Sequence, residues 1–276
     1  SVPIEIAVQR LIAPTQSPSL LAIPFFILLG TLMSYTGIAE RILHIANVLV
    51  GKMRGGLGVA NILVSTMMGG VSASNLADAA MLSRMMVPEM ERKGYNRAFA
   101  AAITAGGSLV TPIIPPGIAL IIYGLVADVS IGKMFIAGLV PGLLCAVVLM
   151  FTVYLVARKT NAKPSRESWP TGKEVVFSLG QAWPALFLIF AVVGGIRANI
   201  FTPTEAGAAA VLIVLAIGFF IYREMRISHV VKALGETARA TASVMLVIMA
   251  SAALGWIFSM EHAGVAVANF VTSLTE

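Results

Sequence analysis

STMMGGVSASNLADAAMLSRMMVPEMERKGYNRAFAAAITAGGSLVTPIIPPG, residues 65–117, decides the fold. It holds two apolar runs, each interrupted by small and polar residues, one at Gly69–Asn75 and one at Gly106–Gly117. In a bilayer, broken backbone is tolerated only where protein or a water-filled cavity covers it. Two such breaks close together predict a buried polar site.

The rest of the chain agrees with a membrane setting. Of its 276 residues 58% are hydrophobic and 12% charged, with a mean hydropathy of +0.91; a soluble domain carries about twice that charge. The reading is an all-α polytopic membrane protein. The net charge of +6 lies in short loops, where Lys and Arg set topology, and does not indicate nucleic-acid binding. One cysteine, Cys145, lies in an apolar run, which excludes a disulfide framework or a Cys metal cluster. The chain opens on SVPIEIAVQR with no signal-peptide pattern, and the expectation is that it begins inside a longer protein.

Working outward, 1–17 read as a polar lead-in with amphipathic character and Leu20–Tyr35 as the first span. Ile38–Lys52 has apolar residues at helical spacing between Glu40, Arg41 and His44, as suits a helix in the interface plane. Leu57–Met68 and Leu76–Met90 are arms of 12 and 15 residues, about 18–22 Å at 1.5 Å per residue, too short for a core about 30 Å thick. Arg41, Lys52 and Arg54 precede them, and Arg92, Lys93 and Arg97 follow. Both flanks being basic, both are cytoplasmic, and 57–90 is a re-entrant hairpin. Ala98–Val126 crosses as a discontinuous helix, because Pro112, Pro115 and Pro116 cannot sit in unbroken helix. Met134–Ala157, Trp183–Ile196, Glu205–Tyr222 and Thr241–Met260 are the later spans, with the basic loop Arg158–Lys173 inside. The alternation closes only if the hairpin does not cross. GTLMS at Gly30–Ser34 before Gly37–Ile38–Ala39 matches GWIFS at Gly255–Ser259 before Gly264–Val265–Ala266 in the opposite direction. That is a short inverted repeat of the transporter kind.

At the hairpin tip Ser72, Ser74 and Asn75 offer neutral oxygens, and the end of the first arm leaves free carbonyls, a set that suits a hard cation such as Na⁺. The second arm begins near Asn75, so its N–H groups and positive dipole end can receive a carboxylate. The broken helix adds carbonyls at Thr111–Pro116. The competing reading of GGVSAS is a tight small-residue helix contact. Asp78 reads as a first-turn acid that complements the dipole and pairs with a cation such as Arg84; the functional alternative is a site carboxylate or proton carrier. Thr202-Pro203-Thr204-Glu205 is a capping box, which gives Glu205 a structural reason. His44, His229 and His262 are too scattered for a metal site. No span interior holds a histidine base for Ser72, and Asp78 stands alone as an intramembrane acid, so an enzyme is not expected.

GGVSASNLADAA, VPEMERKGYNRAFAAAITAGGSLVTPIIPPGIALIIYG, VSIGKMFIAGLVPGLL and FTPTEAGAAA, in this order, resemble the large membrane subunit of tripartite ATP-independent periplasmic (TRAP) transporters, the DctM-like family. The resemblance runs over essentially the whole chain. It implies an inverted-repeat, elevator-type importer of organic acids such as C4-dicarboxylates or sialic acid, driven by Na⁺, in a bacterial inner membrane. The implied partners are a small membrane subunit, a periplasmic substrate-binding protein and the lipid bilayer. It implies a Na⁺ held by Ser72, Ser74 and the carbonyls of Thr111, Ile114 and Pro116, with Ser74, Asn75, Pro115 and Gly117 facing the substrate. It divides the chain into a scaffold span and arm helix (1–56), half a transport domain (57–127: hairpin 57–90, broken helix 98–126), scaffold spans and loops (131–240), and the start of a second repeat (241–276). The family often has Gly where Thr111 stands and Ser where Gly117 stands. Its second hairpin, later Thr-Pro-Pro break and first span are missing, so the chain reads as truncated at both ends and not expected to transport alone. The other readings are a divalent-anion/Na⁺ symporter that needs no binding protein, and a membrane scaffold.

Overall fold

The computed structural model describes residues 4–69, 75–127, 129–160, 162–263, 265, 269, 272 and 273, and these are helical throughout their regular structure. In chain order the helices are α1 (Ile4–Ile12), α2 (Ala22–Met33), α3 (Ile38–Val50), α4 (Gly56–Gly69), α5 (Asn75–Arg92), α6 (Arg97–Ser108), α7 (Ile118–Val126), α8 (Ile131–Lys159), α9 (Gly172–Arg197), α10 (Pro203–Ala216) and α11 (Ile227–Met260). Among the described residues four segments are long and apolar enough to cross a membrane: α8, α9, Pro203–Ile221 and α11. A fifth is bent, Val8–Gln16 meeting Pro18–Met33 at 64°. Pro14 and Pro18 flank that bend; proline removes a donor and crowds the preceding turn. The expected polar lead-in is therefore helical and continues into the first span.

Two other boundaries differ from the sequence reading. α9 begins at Gly172 rather than Trp183, and α11 at Ile227 rather than Thr241. Hydropathy marks where the apolar run stops, but a helix continues wherever its residues tolerate it, and Lys232, Glu236 and Arg239 are good helix formers. Outward faces of these helices are apolar, as lipid contact requires: Phe151, Phe190 and Leu246 are all exposed.

α3 has the amphipathic pattern expected of it. It buries Ile38, Ile42, Ile45 and Ala46 and packs on α4 and α9. Its start is fastened to the segment after α10: Arg41 pairs with Glu224 at 2.7 Å and lies 3.8 Å over the ring of Tyr222. Burial pushes the Tyr222 phenol up to about 12, with Arg41 pulling it down and Glu224 raising it.

α4 and α5 have 14 and 18 residues, about 21 and 27 Å at 1.5 Å per residue. Their outer ends meet one loop. Ser165 N–H donates to Gly51 O at 2.9 Å, ahead of α4, and Lys163 N–H donates to Lys93 O at 3.1 Å, behind α5. The pair is thus an antiparallel hairpin whose open end carries Lys52, Arg54, Arg92 and Lys93.

The helix that follows is broken. α6 stops at Ser108 and α7 starts at Ile118, and the nine residues between them include the three prolines and a cis Pro115–Pro116 bond. α8 receives this break in a groove of small residues. A Cβ on Gly138 would lie 2.7 Å from Ile113 O, and one on Gly142 would lie 2.6 Å from Ile114 Cδ1. Gly138→Leu in the full-length protein is expected to destabilise by about 1–3 kcal/mol through overpacking, read as a lower melting temperature. Gly235→Ala, where a Cβ meets nothing within 4 Å, should instead raise it slightly, because Gly inside a helix costs about 0.5–1 kcal/mol relative to Ala.

Candidate functional site

The inner end of α4 touches the break between α6 and α7. A Cβ on Gly69 would lie 3.0 Å from Thr111 O and 3.0 Å from Ile114 Cβ. The hairpin therefore delivers its first arm to the carbonyls of Thr111–Pro116. Among the described residues no backbone N–H donates to the carbonyls of Thr111, Ile114 or Pro116. Thr111, Ile114, Pro115, Pro116 and Gly117 are all buried. The α5 N-terminus opens at half-buried Asn75, where the first turn's N–H groups have no partner within the helix.

Behind this contact a line of buried polar side chains runs between the helices. The Thr111 hydroxyl donates to Asp78 Oδ2 at 3.0 Å; Ser65 O lies 3.4 Å away. One hydroxyl has one proton, and the shorter distance assigns it to the carboxylate. Asn61 Nδ2 donates to Thr104 Oγ1 at 2.7 Å, and Thr104 donates to Ala100 O at 3.1 Å. Asn61, Ser65, Asp78, Thr104 and Thr111 are each at most 2% exposed. Among the described residues Asn61 Oδ1 has no hydrogen-bond partner, while the Ser65 hydroxyl lies beside the Asp78 carboxylate as a second hydroxyl toward it.

Of the residues singled out in the sequence, Ser72 and Ser74 lie outside the described residues. Thr111, Ile114, Pro115, Pro116 and Gly117 come together in the break. Gly117 has a steric reason to be glycine: a Cβ there would lie 2.4 Å from Pro112 O. A serine at this position needs a different path for that carbonyl. Asp78 does not pair with Arg84, which is exposed and forms no ion pair among the described residues. Its carboxylate points across to Thr111 on the broken helix rather than along its own surface. Ser65, Asn61 and Thr104 were missed. The available signal was a polar pair at i, i+4 (Asn61 and Ser65) on a helix that is apolar apart from these and Thr66, which puts both on one face.

Glu205 forms the capping box, bonding the Thr202 N–H at 2.8 Å while Thr202 Oγ1 accepts from Glu205 N–H at 3.3 Å. No group of three or more His, Cys, Asp or Glu among the described residues could hold a metal. A cavity of about 530 Å³ opens at the end where α7, α8 and α9 turn, beside Ser17, Gly124, Asn199 and Phe201, and none of its lining residues belongs to the break.

The whole chain, residues 1–276, matches the model of the family described as "Tripartite ATP-independent periplasmic transporter, DctM component". It is similar to the sialic acid TRAP transporter large permease protein SiaM of Vibrio cholerae, 36% identical over 277 residues covering 99% of this chain and 64% of the relative. It is also similar to the 2,3-diketo-L-gulonate TRAP transporter large permease protein YiaN of Escherichia coli, 35% identical over 99% of this chain and 64% of the relative. A third relative is the C4-dicarboxylate TRAP transporter large permease protein DctM of Pseudomonas aeruginosa, 36% identical over 96% of this chain and 62% of the relative. The chain thus spans somewhat under two thirds of the length of these relatives, which are named as permeases and not as enzymes. Matched along its whole sequence, the chain belongs to the DctM family of TRAP transporter large permeases.

Proposed function

We propose that this chain forms the greater part of the large membrane subunit of a Na⁺-coupled importer of an organic acid in a bacterial inner membrane. The contact of Gly69 with Thr111 and Ile114 carries the reading. It sets the inner end of a short helix against unpaired carbonyls, and uncharged oxygens at helix breaks are what transporters use for Na⁺. The hairpin re-enters the membrane with its tip at mid-depth. Its arms, about 21 and 27 Å long, fall short of a core about 30 Å thick. Its open end carries the basic residues that favour the cytoplasmic side.

Ser72, Ser74 and the carbonyls of Thr111, Ile114 and Pro116 hold the Na⁺. Ser74, Asn75 and the Pro115–Gly117 turn meet the substrate, whose carboxylate docks at the α5 N-terminus. Relatives named for sialic acid, 2,3-diketo-L-gulonate and C4-dicarboxylates all concern acids, which fits such a site. Hairpin and broken helix move as one block in an elevator step, tied by the Thr111–Asp78 and Asn61–Thr104 bonds. A small membrane subunit and a periplasmic binding protein complete the machine.

In proteoliposomes holding the full-length large subunit with its small subunit, Ser74→Ala is expected to raise the Na⁺ concentration for half-maximal uptake about tenfold. That corresponds to the low end of what one contact to a charged group contributes, about 1.5 kcal/mol. An unchanged Na⁺ dependence would overturn the coupling. Uptake is also expected to vanish when the binding protein is left out. Uptake that persists without it favours the divalent-anion symporter reading.

A further inference from the structure

The turn between α3 and α4 meets the C-terminal end of α8 at one point. A Cβ on Gly55 would lie 2.4 Å from Ala157 Cβ and 3.8 Å from Tyr154 Cα. Cations gather at this contact from two segments far apart in sequence. Lys52 and Arg54 precede Gly55, and Arg158 and Lys159 follow Ala157. Lys52 Nζ lies 5.4 Å from the ring centroid of Trp169, and Arg158 Cζ lies 5.5 Å from that of Tyr154. None of the four cations forms an ion pair among the described residues. Of the acids in the neighbouring loop and at the start of α9, Glu174 is held by Arg166 and Glu167 has no ion-pair partner there. A topology signal requires only that Lys and Arg lie on the inner side. It gives no reason for two distant segments to bring four of them together, where like charges repel. An apolar track leads up to the cluster. On α8 Val148, Phe151 and Leu155 are exposed, and Arg158 and Lys159 continue the same row three and four residues further on. Trp169, also exposed, stands beside Lys52 with the apolar body and polar edge that suit the headgroup level of a bilayer.

We propose that Lys52, Arg54, Arg158 and Lys159 form a docking site for the phosphate of an anionic phospholipid, whose acyl chains lie along Val148, Phe151 and Leu155. The two halves of the surface select the occupant together. Unpaired cations at the membrane boundary attract an anionic headgroup. A free phosphate would answer the cations but leave the apolar track unused. A zwitterionic lipid would cover the track but bring its own ammonium group to the cations. Bound there, the lipid bridges the entry to α4, at the base of the hairpin, and the end of α8. The aromatic rings beneath Lys52 and Arg158 hold two of the cations in place, so less ordering has to occur on binding. The inference stands apart from Na⁺ coupling, and its test requires no transport.

The measurement is native mass spectrometry of the full-length large subunit with its small subunit, offered equimolar phosphatidylglycerol and phosphatidylcholine with the same acyl chains. The parent is expected to retain phosphatidylglycerol with a preference of about tenfold. Arg54→Gln/Arg158→Gln should abolish that preference, and Arg54→Lys/Arg158→Lys, which keeps the charge, should preserve it. Lys133→Gln/Arg197→Gln removes two exposed cations that have no ion pair among the described residues, at the other ends of α8 and α9, and should change nothing. The proposal is overturned if the parent retains both lipids equally. It is overturned as well if the Lys133/Arg197 variant loses as much preference as the Arg54/Arg158 variant, because net charge alone then accounts for binding. In a second arm the melting temperature of the complex should rise with phosphatidylglycerol and not with inorganic phosphate at the same concentration. An equal rise with both marks a free-anion site and overturns the lipid assignment. Should the double Gln variant fail to assemble, Arg158→Gln decides: about a fivefold loss of preference is expected, and an unaltered preference overturns the proposal.

Discussion

A peptide group inside lipid must find its hydrogen-bond partner within the protein, because water is not there to supply one. The arrangement around residues 108–117 follows from that constraint. Pro112, Pro115 and Pro116 remove three donors and stop α6. The carbonyls freed by the stop cannot face acyl chains. They are covered instead by the inner end of α4 on one side and by the Gly138–Gly142 face of α8 on the other. Small residues at both contacts let backbone approach backbone, as membrane helix packing favours. The break persists because two helices, α4 and α8, are shaped to enclose it, and what they enclose is polar.

Enclosure also sets how the region can move. α5 packs along α6, and α4 along both. Side-chain bonds cross these contacts at two depths, Asn61 to Thr104 and Thr111 to Asp78. Each is buried, so separating the helices would leave its polar atoms unpaired at about 1–3 kcal/mol apiece. Sliding the hairpin along the broken helix is costly for the same reason. Displacement of the whole unit keeps every one of these bonds. At the open end the hairpin is held by backbone bonds to the α8–α9 loop, Ser165 to Gly51 and Lys163 to Lys93.

Much of this was legible in the sequence, and the residues show why. The arms of the hairpin were expected at Leu57–Met68 and Leu76–Met90 and are found at Gly56–Gly69 and Asn75–Arg92. Glycine pairs and a polar cluster interrupt a strongly apolar run there, so composition alone marks the edge. The three prolines located the break, and Thr202-Pro203-Thr204-Glu205 announced its cap. Where helix continues past the lipid boundary, hydropathy is silent, and α9 and α11 began earlier than it indicated. Asp78 was harder. From sequence a first-turn acid with Arg84 six residues on looks like a local ion pair. Its actual partner is Thr111, 33 residues away, and only the folded arrangement of α5 against the break brings them together.

Two residues of the break have related physical content. At Gly117 the Pro112 carbonyl occupies the space a side chain would need. At Thr111 the hydroxyl is committed to Asp78. A hydroxyl is absent from one end of the break and present at the other, nearer the carboxylate. The backbone carbonyl of Thr111 remains turned toward the hairpin, so the side chain adds a donor without removing an acceptor. That donor holds one carboxylate oxygen and thereby ties the second arm of the hairpin to the broken helix. A buried hydrogen bond to a charged group is worth about 1.5–3 kcal/mol, and Thr111 places it where the backbone of its own helix is interrupted.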